Sequence, residues 1–99
     1  MKIPKQLQVG KKKYTVSRVQ CMSRKYSMGL TVYRTRQILI ANKPYTLHRT
    51  YTPVEQEDTF WHELTHAILE EMGSTKYIDE VFVDKFSKRL SKAIRTAKF

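Results

Sequence analysis

The first fifty residues contain not one aspartate or glutamate, yet they hold 12 of the 19 lysines and arginines, seven Lys and five Arg. All nine acids fall in residues 51–99 with the other seven bases, so that half carries a net −2 (7 − 9). Cysteine is nearly absent as well. Cys21 stands alone, which rules out an internal disulfide and any cysteine-rich zinc fold. A lone cysteine fits a reducing interior, and Cys21 reads as a small core residue. No apolar run approaches the roughly 20 residues of a membrane helix. The opening MKIPKQLQVG has no apolar centre of the kind a signal peptide needs. The expectation is a soluble, cytoplasmic chain without membrane contact.

What is present suits one small domain. Ninety-nine residues, 40% apolar and 28% charged, are enough for a modest core and too few for two. Residues 1–99 are therefore read as a single unit, with a basic β part over 1–51 and a helical part over 52–99. The net charge of +10, concentrated in residues 1–50, is what an acidic protein or nucleic-acid partner would meet. It equally fits a basic sheet packed beside an acidic helix in one domain.

The first half alternates with period two. QLQV (6–9) and KYTVSRV (13–19) flank a Gly-Lys turn and read as a hairpin. LTVYR (30–34) and QILIA (37–41) read as a second pair, and NKPY (42–45) ends the last strand. At residue 52 the period changes. TPVE has Thr at an N-cap, Pro at the first helical position and Glu three after the cap, the reciprocal capping box. The helix it starts runs to Gly73, a residue suited to the left-handed position after a C-terminus. A second helix begins near Ser74–Asp79 and continues almost to Phe99. Its apolar stripe is Phe82, Phe86, Leu90, Ala93 and Ala97. The fold class predicted is α+β: a small antiparallel twisted sheet followed by two packed helices.

The first helix carries HELTH (62–66). At 100° per residue, His62 and His66 lie about 40° apart on one line, and Glu63 lies about 100° round from His62. Two neutral imidazoles placed so can share one metal, with a carboxylate beside the ion. Phe60, Trp61, Leu64, Ala67, Ile68 and Met72 gather on the far side, so the helix should anchor by one face and present its histidines on the other. A plainer reading makes both histidines exposed surface residues. A third protein ligand is required of such a site. His48, the remaining histidine, lies in a loop before the helix. Glu80, 13 residues after His66, begins the second helix, and Asp84 follows on the same helical line, where it can accept the second ring N–H of a metal-bound histidine.

HELTHAILEEMG followed by EVFVDKFSKRL resembles the gluzincin group of zinc metallopeptidases, in particular small phage-type and ImmA/IrrE-like members. Their second helix reads approximately E-x-x-A/V-x-x-F-A/S-x-x-L, met here by Glu80, Val83, Phe86, Ser87 and Leu90. The match is specific over 52–91 and architectural over 1–51, where a minimal zincin-like sheet is implied. The resemblance implies Zn2+ held by His62, His66 and Glu80, Asp84 beside a ligand, and Glu63 as the general base that acts on an activated water. A protein or peptide substrate would lie extended along a sheet edge, offered by 30–34 or by 37–41, inside a host cell if the chain is phage-encoded. The Tyr or His that related enzymes place after the third ligand is missing, leaving Tyr77, Tyr45, Tyr51 or His48 as substitutes. Two alternatives stand beside the peptidase. One is a zinc domain without catalysis. The other is a nucleic-acid-binding module using Lys11–Lys13, with Tyr14, Tyr26 and Tyr33 to stack bases.

Overall fold

The computed structural model describes residues 3–22, 28–44 and 49–99. Among these described residues four strands, β1 (Gln6–Val9), β2 (Lys12–Val19), β3 (Gly29–Val32) and β4 (Gln37–Ala41), precede two helices, α1 (Pro53–Glu71) and α2 (Glu80–Thr96). A short 3₁₀ turn over Thr75–Ile78 joins the helices. The α+β arrangement of a sheet followed by two helices is thus observed.

The strand order is β1-β2-β4-β3. Both expected hairpins form, β1 with β2 and β3 with β4, each antiparallel. The central pairing, β2 with β4, is parallel, so the sheet is mixed where an antiparallel one was expected. The residues of β4 explain this. Ile38 and Ile40 are buried on one face and Ala41 on the other, so the strand belongs inside the sheet. β3, with Gly29 and an exposed Leu30, takes the edge. Tyr33 to Arg36, partly expected as strand, form the turn between them, closed by the Arg36 N–H donating to the Tyr33 carbonyl at 3.3 Å.

The main core lies between the sheet and α1. Tyr14, Ile38 and Ile40 from the sheet meet Phe60, Leu64 and Ala67 from the helix. Burying each large apolar side chain there contributes about 1.5–3 kcal/mol. The opposite parity of β4 supports a second cluster, in which Met22, Ala41 and Tyr51 pack with Val19, Met28 and Leu39. Met22 fills it, while Cys21, expected in the core, is exposed.

The start of α1 is built as its sequence directs. The Thr52 hydroxyl accepts from the Glu55 N–H at 3.1 Å, and the Glu55 carboxylate accepts from the Thr52 N–H at 2.9 Å. Arg49 adds a 2.9 Å pair to the same carboxylate, and its hydrogen bond, with that cap, holds the Glu55 carboxyl down at about 2. At the other end Gly73 takes φ +76°, where a side chain would be strained. Its N–H and that of Ser74 donate back to the carbonyls of Glu70 and Leu69.

α2 departs from its sequence pattern. The line it buries is Val83, Ser87 and Ser91, against α1. Phe82 and Phe86, expected to be core, are 38% and 49% exposed, and Ala93 and Ala97 are exposed too. On α1, Ile68 and Met72 likewise stay outside, Met72 at 68%. The physical reason is a polar claim on the interface. Ser91 donates to Asp58 at 2.6 Å, and Glu80 reaches both histidines, which turns α2 about its axis until small residues face α1. No helix is long and apolar enough to cross a membrane among the described residues.

Candidate metal centre

α1 and α2 bring together the two histidines that spacing nominated and the Glu80 that the motif resemblance added. His62 and His66 stand one turn apart on α1, with ring centroids 5.0 Å from each other. Glu80, the first residue of α2, places its two carboxylate oxygens against them. Oε1 lies 2.9 Å from His66 Nε2, and Oε2 lies 3.2 Å from His62 Nε2. One ligand atom from each residue falls within 4.8 Å of the other two, so the group can hold a metal ion. Donors about 2.1 Å from a tetrahedral ion stand about 3.4 Å apart, so the two histidine–carboxylate distances fit to about half an ångström, and the widest separation in the group, up to 4.8 Å, would close by about 1 Å on binding.

The remaining ring nitrogens show that the donors are oriented. His66 Nδ1 is 2.6 Å from the backbone carbonyl of Tyr77, in the 3₁₀ turn. The Nδ1–H therefore donates there, and the Nε2 lone pair is left for a cation. His62 Nδ1 faces Asp84 Oδ1 at 3.6 Å, which is charge proximity rather than a hydrogen bond. Asp84 also holds Lys88 at 3.0 Å. Asp84 thus stands beside His62 without accepting its ring N–H, the role expected of it. The partner of His66, a main-chain carbonyl, was beyond sequence reasoning, because a carbonyl belongs to every residue type.

Glu63 is buried on the sheet side of the histidines. Thr31, on edge strand β3, has its hydroxyl 2.8 Å from Glu63 Oε1 and 2.9 Å from the Glu63 carbonyl, and its single proton serves one at a time. Burial pushes the Glu63 carboxyl above its usual range, against the lowering effect of the Thr31 hydrogen bond and of the two histidines. A cation at the three donors would pull the same way as that bond. Gly29 lets β3 approach α1. A Cβ there would stand 2.6 Å from the Thr59 methyl and 2.9 Å from the Leu39 carbonyl.

These groups line a cleft of about 550 Å³ between β3, α1 and α2. Met28, Leu30 and Tyr33 form its apolar wall; Asp58, Asp84 and Lys88 lie on its polar side. Tyr33 packs edge-on against Tyr77, centroids 5.5 Å apart. Burial first, and Glu63 second, push its phenol up to about 12. Thr31 was not singled out, since a threonine within a strand carries no spacing signal, and Tyr33, considered only as a base-stacking residue, lines this cleft instead. Of the proposed substitutes for the missing Tyr or His, Tyr51 is buried in the second cluster, and Tyr77 contributes its carbonyl. Tyr45 and His48 lie outside the described residues, as does Tyr26.

In the basic half, Lys12 pairs with Glu70 on α1 at 3.3 Å, and Tyr14 is wholly buried. Part of the charge asymmetry is therefore a basic sheet beside an acidic helix. No family model, curated protein or solved structure matches this chain.

Proposed function

We propose that this protein is a zinc-dependent peptide hydrolase of the HExxH type, with His62, His66 and Glu80 as ligands and Glu63 as general base. One observation carries the reading: three metal-type donors from two helices converge within 4.8 Å, with a buried carboxylate one residue after the first histidine. Two imidazoles and one carboxylate, open toward a cleft, most often hold zinc. Bound there, zinc supplies a Lewis acid for a peptide carbonyl and a water acidic enough to attack near neutral pH.

The chain's own groups do the rest. Tyr77 fixes the His66 tautomer through its carbonyl. Thr31 occupies one oxygen of Glu63, leaving the other to take the proton of the attacking water and hand it to the departing amine. β3 is the edge strand on the cleft, so an extended peptide adds beside it, with Leu30 and Met28 against its side chains. Tyr33 lines the same cleft and keeps its hydroxyl proton at neutral pH, a donor for the developing oxyanion in place of the residue missing after Glu80.

The test is a mixed library of synthetic peptides incubated with zinc-loaded protein, new termini being read by mass spectrometry. Wild type should generate them, and Glu63→Gln should generate none while holding the same zinc. Equal zinc in both with no new termini from either would sink the peptidase and leave a metal that only joins two helices. That second reading draws on the thin interface, where α2 buries one valine and two serines and no large apolar side chain.

A further inference from the structure

The flank of the helix pair opposite the metal cleft is apolar and has no cover within the described residues. On α2, Glu80 and Asp84 point to the cleft, so helical geometry puts Phe82, Phe86 and Leu90 on the other side of the buried Val83–Ser87–Ser91 line. On α1 the same argument, from His62 and His66 outward, brings half-buried Trp61 and exposed Ile68 and Met72 to that flank. The rings of Phe82 and Phe86 stack with centroids 6.0 Å apart, and the Lys76 ammonium lies 5.8 Å from the Phe82 ring.

The charges of α2 divide along the same line. Its two acids both face the cleft. Lys88, paired with Asp84, and Arg95, paired with Asp58, are on that side too. Lys85, Arg89 and Lys92 border the apolar stripe, and none has a carboxylate partner among the described residues. An aromatic stripe edged by cations without carboxylate partners, its one acid, Asp79 at the helix start, answered by Lys76 at 3.6 Å, is complementary, on a chain of net charge +10, to an apolar layer roofed with negative charge. A second copy fits poorly, because it would bring the same cations together.

We infer that this flank is a docking surface for an anionic membrane, on which α2 lies with Phe82 and Phe86 between the headgroups. Lying on a bilayer needs no spanning helix, so the absence of one does not bear on it. The inference is independent of the peptidase reading, since no atom of the metal centre takes part.

The test is sedimentation of the full chain with phosphatidylcholine vesicles, with and without phosphatidylserine. Wild type should sediment with the mixed vesicles and not with phosphatidylcholine alone. The double variant Phe82→Ser, Phe86→Ser should lose binding. Replacing Lys85, Arg89 and Lys92 by Gln should weaken it about 100-fold. Far-UV circular dichroism checks that both variants keep their helices; the lipid comparison on wild type decides without any variant. No sedimentation, equal sedimentation with both lipids, or variants that bind like wild type would overturn the inference. The last result would point to the basic sheet instead, and capture of a soluble acidic protein with no vesicle binding would make the partner a protein.

Discussion

The two helices carry similar sequence patterns and use them in opposite ways. α1 turns Phe60, Leu64 and Ala67 to the sheet and buries all three. α2, with its better-spaced stripe of Phe82, Phe86 and Leu90, buries two serines and a valine and leaves the aromatics partly exposed. The difference shows that an amphipathic stripe identifies a helix but not the face it buries. That face is chosen by whatever polar contacts must also be satisfied, here Asp58 with Ser91 and Glu80 with two histidines.

The comparison breaks most visibly in urea melts of paired variants. Phe60→Ala should cost about 3–5 kcal/mol, the cost of a cavity in a packed core. Phe86→Ala, at a half-exposed site, should cost about 1 kcal/mol, near half of what full burial contributes. A Phe86 penalty as large as that of Phe60 would mean that α2 buries its stripe after all. Next in size is the metal. With zinc at about 100 times its dissociation constant, the folded chain should gain about 2.7 kcal/mol. Glu80→Ala should remove most of that gain, and hydrogen exchange should show the loss in α2 far more than in α1. Uniform protection loss in both helices would show that they are not independently held. The smallest effect lies at the helix starts. Thr52→Ala should cost about 1 kcal/mol by thermal melting at neutral pH. The Glu55 carboxyl, depressed to about 2, adds stability that is present above its ordinary 4.5 and is lost as pH falls toward about 2. This contribution is small at so exposed a site. Glu55→Gln should flatten that acid limb by taking the same small stability out of the melt above pH 4.5.

Much of this was legible beforehand, and for local reasons. Thr52, Pro53 and Glu55 form a cap from contacts within four residues, and Gly73 ends α1 because φ +76° suits glycine. His62 and His66 share a line because 3.6 residues make a turn. Glu80 was harder, since its place depends on the chain reversing after Gly73, and there the motif resemblance added what spacing could not. Thr31 was not legible as a site residue, nor Tyr33 as part of this cleft, because β3 reaches Glu63 only through the sheet order, which no local signal states.

The sequence by itself determined the elements, the cap, the turn and the two-histidine line, since each follows from interactions between near neighbours along the chain. Only the tertiary structure decided that β2 and β4 run parallel, that β3 is the edge on the cleft, that the Tyr77 carbonyl orients His66, and that the aromatics of α2 remain outside. Each of those rests on contacts between distant segments, where burial and polar satisfaction are met together or not at all.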